Sequence, residues 1–425
     1  MEESEIRHIR QLLDEGRCDQ VRSRLRDYLG TNPGDRDGTR LMAALSLKEG
    51  QGDRARRLLE KLVESDATDL EAQHDLGAYF MQVGDFRAAR QRFKTVTDQN
   101  PNHADAFNSM AYCLVRLDRV DEAETALRKA ISARPEDPLN YLCLAQICRN
   151  EGDMEKAQTY LKQGIQAAPR DPSLRDGLAR LHIDQGDVPS AIKEFEMLCK
   201  QYPQLDLPFI GLGDCELERG DLTAAAVQFN EARKRDSRSW RAEAGLAESA
   251  HLGGRLTTAQ GHYETALSLD EGNTKLRANL AEVLVRLGYS VRPWEVLERA
   301  IELDPSYAYA RYLLGRLYLR EDLLDEAHKH LELAVKGDPG DVYACHALAD
   351  VLARLGRTKS AREALESARA PERDPYRLVV MARIMIGEGR KSEARELLDS
   401  LIKKGWGDEY EREALQLRDL VSQRS

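Results

Sequence analysis

Apolar residues in this chain recur on two length scales. Within short stretches they fall at i, i+3, i+4 and i+7, the spacing of one face of an α-helix. On the longer scale the same residue types return every 34 positions. Ala55, Ala89, Ala123, Ala157, Ala191, Ala225 and Ala259 are each 34 apart. Pro293 takes the next place, then Ala327 and Ala361; Val21 precedes the column, and Ala394 ends it one residue early. Four residues after each of these sits a large apolar side chain: Leu25, Leu59, Phe93, Leu127, Leu161, Phe195, Phe229, Tyr263, Leu297, Leu331, Leu365 and Leu398. Twelve residues before it, Ala or Gly stands in eleven of twelve units, directly preceded by Leu or Met. The columns define units starting near Glu2, Arg36, Leu70, Ala104, Pro138, Pro172, Asp206, Trp240, Thr274, Ala308, Val342 and Pro375.

Each unit carries two amphipathic segments, which predicts two helices. Gly at the fifteenth position, as in Gly84, Gly152, Gly186, Gly220, Gly288 and Gly356, supplies the left-handed residue that ends the first helix. Asp85, Asp153, Asp187 and Asp221 follow directly and favour the start of the second helix by capping. Small residues at the eighth and twentieth positions let the helices approach, and the large residue at the twenty-fourth fills the space between neighbouring pairs. Pro33, Pro101, Pro135, Pro169, Pro203, Pro305 and Pro339 forbid continuation of the second helix. Pro293 fits its column only if it lies in the first turn of its helix.

This pattern resembles the tetratricopeptide repeat (TPR): 34 residues, helix–turn–helix, Leu-Gly/Ala, then Gly, Ala, Phe/Leu and Pro. The resemblance spans residues 2–408, and residues 409–425 are expected to form a capping helix and tail, with Tyr410, Ala414, Leu417 and Val421 as its apolar stripe. It departs in the first unit, where His8-Ile9 replaces Leu-Gly/Ala, and at Pro293. It implies an all-α, right-handed superhelical solenoid of about twelve tandem repeats. It also implies that first helices line a concave groove that binds peptides or proteins, through the second, fifth, ninth, twelfth and thirteenth positions of each unit.

Read through the last three units, those positions include Tyr309, Tyr312, Arg316, Arg320, Tyr343, His346, Arg354, Tyr376 and Arg383. Tyr supplies contact area at low entropy cost, and Arg supplies a fork for carboxylates. These nine residues are the candidate peptide-binding site, suited to acidic or C-terminal segments. The middle units are more acidic at the same positions, with Asp176, Asp184, Asp214, Glu218, Glu248 and Glu282. Two specialised forms of the family do not fit. The Lys/Asn carboxylate clamp of heat-shock co-chaperones is absent, and the column that holds an asparagine ladder in O-linked GlcNAc transferases has one Asn, Asn279.

Composition narrows the field further. Net charge is −10, from 63 basic and 73 acidic residues that are interspersed, so no basic face for nucleic acid is expected. The opening Met1-Glu-Glu-Ser-Glu-Ile-Arg lacks a basic and apolar leader. The longest apolar run, Leu378 to Ile386, is broken by Arg383 and too short to span a bilayer. Seven scattered cysteines without a C-x-x-C pair suit free thiols in a reducing, cytoplasmic compartment. A mature secreted chain with a new start Met is the alternative.

No phosphate loop, zinc-binding helix or nucleophile elbow occurs. Gly211-Leu-Gly213 sits inside a first helix, and Arg219-Gly220-Asp221 falls on a helix turn. Histidines lie without a second ligand at metal spacing. No metal, cofactor or catalytic set is therefore expected. The expected function is a non-catalytic scaffold or adaptor that assembles a multiprotein complex, with self-association left open. The alternatives are a chaperone or targeting factor for unfolded or secreted clients, or a regulatory repeat subunit of a glycosyltransferase or envelope-polysaccharide machine.

Overall fold

The computed structural model describes residues 3–368, 374–404 and 408–423. Among them every regular element is an α-helix, from Glu3–Asp14 to Asp408–Gln423. Helices of 10 to 16 residues follow one another through short turns, and within each of two compact units each packs on the next. The chain divides into two compact units, Met1–Pro203 and Gln204–Ser425. Each is an all-α solenoid of paired helices.

The small-residue column explains the pairing. Ala55, Ala89, Ala123, Ala157, Ala191, Ala225, Ala259, Ala327, Ala361 and Ala394 are all 0% exposed. Pro293 is buried too, and it lies in the first turn of Arg292–Leu303, where its missing N–H leaves no helical bond unmade. The large-residue column is equally buried, from Leu25 at 0% to Leu161 at 2%.

Phe229 shows why the columns must match. A Cβ added at Gly213, in the same helix pair, would lie 2.5 Å from the Phe229 ring; one added at Gly245, in the next pair, would lie 2.4 Å from it. The ring fills a slot made by two glycines on successive first helices, so it joins two neighbouring pairs.

Turn chemistry follows the expected pattern with one addition. Asp85 accepts from the Ala88 N–H at 3.0 Å, Asp153 from Lys156 at 3.1 Å, Asp187 from Ser190 at 3.2 Å and Asp221 from Ala224 at 2.9 Å. The left-handed residue of the turn is Gly in most pairs, but Asp118 and Asp322 adopt it at φ 58°. Asp tolerates this region better than other side-chain-bearing residues. The backbone period therefore continues where the Gly column breaks.

Gly245→Ala is expected to destabilise the protein by about 1–3 kcal/mol through overpacking, although Ala is the better helix former. Adding Phe229→Leu should recover part of that loss. Urea titrations of the two single variants and the double variant check this; simply additive losses would contradict the slot.

Candidate functional site

In the second unit, four first-type helices present a tyrosine near their N-termini: Ala308–Arg320, Val342–Arg354, Pro375–Gly387 and Asp408–Gln423. They are called the Tyr309, Tyr343, Tyr376 and Tyr410 helices below. Asp341 and Asp374 cap the middle two, accepting from Tyr343 N–H at 2.9 Å and Arg377 N–H at 2.8 Å.

On the Tyr309 helix, three of the expected site residues come together. The Tyr309 hydroxyl donates to the Glu282 carboxylate at 2.7 Å, and its ring stacks on Tyr312 at 6.1 Å. Burial, then Glu282, pushes the Tyr309 phenol far above its usual pKa, so it remains a donor. Tyr312 is 7% exposed, and its hydroxyl accepts from Arg316 Nη1 at 3.3 Å. The guanidinium lies 5.8 Å from the Tyr312 ring centroid. Arg316 is exposed and pairs with no carboxylate among the described residues. Arg320, one turn on, is exposed and has no ion pair among the described residues. Tyr343 is 59% exposed and makes no ring contact or side-chain hydrogen bond.

Arg354 and Arg383 are placed differently. Asp350 is buried at 1% and lies between them, 3.1 Å from Arg354 Nη2 and 2.8 Å from Arg383 Nε. Glu413, on the Tyr410 helix, pairs with Arg354 at 3.2 Å and with Arg383. Burial, then the Asp350 charge, pushes the Glu413 carboxyl above its usual range against the pull of Arg383 and Arg354. Asp350, Glu413 and the two arginines thus form one cluster, with Asp322 at its edge 3.8 Å from Arg354, and the carboxylates these arginines bind come from this chain.

His346 is fully buried, 6.1 Å from the Tyr376 ring, with Nδ1 3.6 Å from Asp374. Neither ring nitrogen is hydrogen-bonded. The Tyr376 ring is also 5.9 Å from Tyr410. Nine residues expected on one face therefore separate into an aromatic–arginine corner, a neutralised ion cluster, a buried histidine against Tyr376, and two exposed side chains. Sequence reasoning missed Glu413 as a partner of the arginines. Its signal was the continuing period: Tyr410 lies 34 residues after Tyr376 and Glu413 34 after Val379.

A recess in the first unit was also missed. It has a volume of about 380 Å³ between the helices Glu3–Asp14, Arg36–Lys48 and Leu70–Gln82. Ile6, Leu41, Ala44 and Leu47 contribute apolar lining, and Arg10, Asp14, Asp37, Arg40, Lys48 and Asp75 contribute charges. Arg40 is tied to Asp75 at 2.7 Å and to Glu71.

Chemistry elsewhere is sparse. No group of three metal-ligating side chains occurs among the described residues. Burial pushes the Cys113 thiol up to about 11, away from nucleophilic use. No described helix is long and apolar enough to cross a membrane.

Arg383→Leu should cost about 2–3 kcal/mol, because it strips one partner from a buried carboxylate. Arg316→Leu should cost under about 1 kcal/mol, since no ion pair is lost. Chemical denaturation of both variants tests this; equal losses would refute the division. Burial holds the His346 imidazole below its usual value of 6.5, opposed by Asp374 and aided by Arg377. The folded state then binds fewer protons than the unfolded chain as pH falls. Stability present above about pH 6.5 is therefore lost below it. The melting temperature should drop between about pH 7.5 and 5.5, and His346→Leu should flatten that drop, as circular dichroism melts would show. His251 and His330, also depressed by burial, should keep the flattening partial.

No curated protein matches the sequence. Two tetratricopeptide repeat profiles do, one over residues 74–138 and 210–274, the other over 12–78, 149–208, 295–341 and 320–378. Among solved structures, a chain of the APC/C hetero-tetramer Cut9-Hcn1 is similar over 97% of this chain and 95% of its own, with TM-score 0.56 and 14% identity. A tetratricopeptide repeat protein from Parabacteroides merdae is similar over 62% of this chain and 98% of its own, with TM-score 0.44 and 17% identity. Pseudomonas aeruginosa pilF is similar over 47% and 90%, with TM-score 0.39 and 18% identity. On its repeating columns, its paired helices and these sequence matches, the chain belongs to the tetratricopeptide repeat family.

Proposed function

We propose that this chain is a non-catalytic scaffold, an array of twelve repeats with starts as given above and a final capping helix, acting in the cytoplasm. It binds partner proteins on the face formed by its first helices, and the end near Tyr309 and Arg316 takes acidic or C-terminal segments. One observation carries the reading. The recess in the first unit is lined by Ile6, Arg10, Leu13 and Asp14 of one repeat and by Asp37, Arg40, Ala44, Leu47 and Lys48 of the next. Those residues take the positions, in phase on successive helices, that the core columns do not use, while Ala43 and Leu59 of the core columns also line the recess. A concave surface with apolar floor and charged rim is the usual form of a peptide-binding groove. The structural relative of similar length was solved within a hetero-tetramer, which supports assembly with other chains as the role. Seven scattered cysteines without a C-x-x-C pair support a reducing compartment.

A second reading is a client-binding factor for apolar segments. Tyr112, Val115 and Leu139 occupy the same repeat positions in the first unit and are 52%, 40% and 51% exposed. Exposed apolar side chains gathered on one face favour association.

Affinity purification of the full chain, read by mass spectrometry, separates the two readings. Wild type is compared with Ala44→Phe, which fills the recess, and with Arg316→Gln/Arg320→Gln. The scaffold reading expects a small stoichiometric set of partners, with part of it lost in one variant. Retention of the whole set in both variants would move binding to another face. A broad, substoichiometric spread of clients would favour the second reading.

A further inference from the structure

Arginines on the first-helix face of the second unit divide by their counter-ions. Arg354 and Arg383 share Asp350 and Glu413, and Asp322 lies 3.8 Å from Arg354, so their two positive charges are met by carboxylates of this chain. Arg316 lies outside that cluster. Its one hydrogen bond is to the Tyr312 hydroxyl, itself a neutral group. The next groups within electrostatic reach of it are the Tyr376 and Tyr410 phenols, contributed by two further helices. Those two rings are 5.9 Å apart, and Tyr376 also interacts with Tyr312. The guanidinium thus stands against Tyr312, with two further phenols within electrostatic reach, exposed and with spare N–H donors.

We propose that Arg316, framed by Tyr312, Tyr376 and Tyr410, is a binding site for one carboxylate of a partner protein. This rests on the reading that the first-helix face binds proteins, and it narrows the ligand contacts to one arginine. Three physical points support it. A guanidinium has five N–H donors, and Arg316 spends one on Tyr312, which leaves an edge for a carboxylate. The Tyr312 ring covers one side of the charge, so an ion pair there is less fully solvated than one on open surface. The rings also offer flat area for an apolar or aromatic residue adjoining the acid.

Arg354, Arg383 and Glu413 act here as positioning residues. Glu413 is one turn beyond Tyr410 on the same helix, so anchoring it to the two arginines fixes where the Tyr410 ring stands. The bound carboxylate would meet no competing charge at Arg316, whereas at Arg354 and Arg383 it would have to displace Asp350 or Glu413.

Random dodecapeptides displayed on phage, selected against the full-length protein and then synthesised with a fluorescent label, provide the test. Selected peptides should be enriched in Asp or Glu at one fixed position. Their affinity, read by anisotropy, should fall roughly tenfold or more with Arg316→Gln and fall with added salt. It should stay within about twofold with Arg320→Gln, an exposed arginine outside the tyrosine frame. Remaking each peptide with its acid replaced by a free C-terminal carboxylate, or amidated, tells a side-chain source from a chain terminus. A Phe in place of Tyr376 keeps the ring and removes a donor, so it should weaken binding without altering the melting curve. Binders without an acidic consensus, or binders indifferent to Arg316→Gln, would overturn the site. So would a failure to select any acidic peptide at tens of micromolar. Peptides sensitive only to Ala44→Phe would overturn it too, while leaving the scaffold reading standing.

Discussion

Everything in this fold depends on how closely two helices can approach. With alanine at the twentieth position of a repeat and glycine or alanine at the eighth, little bulk separates the backbones. The large residue four positions later then has one place to go, against its own pair and the next. Phe229 between Gly213 and Gly245 shows this directly. A single pair would leave half of that ring in water, so stability lies in contacts between neighbours. The same limit sets the pairing of side-chain sizes, since a methyl group at either glycine would fall inside the ring's envelope.

Close packing also decides which positions are left for other work. A first helix gives its seventh and eighth positions to the core, and the second, fifth, ninth, twelfth and thirteenth point elsewhere. In the first unit these positions gather around a recess. In the second unit the same positions are partly drawn into structure. Asp350 is at the ninth position and is buried at 1%. A carboxylate can be held there because two guanidinium groups reach it from its own helix and the next. A position that is free by the repeat rule can therefore be spent on an ion cluster.

The fold was legible in the sequence because each core column demands one size of side chain at a fixed period, many times over. Even exceptions were readable: Pro293 had to sit in a first turn, and it does. The turns at Asp118 and Asp322 hid their conformation, since only φ identifies them with the Gly column. The site was less legible. Pairing of charges depends on helices far apart in the chain; Glu413 meets Arg354 across 59 residues and Arg383 across 30. Reading the last helix for its apolar stripe passed over Glu413, one residue before Ala414. His346 looked like a surface residue by its position, but it is fully buried beside Tyr376.

An exposed arginine is poor evidence of a ligand, because water satisfies it at little cost. What distinguishes Arg316 is the company it keeps. Arg354 and Arg383 stand on the next two first-type helices, yet each has taken carboxylates supplied by this chain. The face around Arg316 instead supplies phenols, which neither neutralise it nor hydrate it as water would. A cation so placed gains from a carboxylate more than a solvated one does, and its neighbours cannot compete because their own acids are closer. The ion cluster has a second effect. By satisfying two arginines internally it removes two charges that would otherwise attract acids without discrimination, so the remaining charge determines where an acidic chain is drawn and in what register.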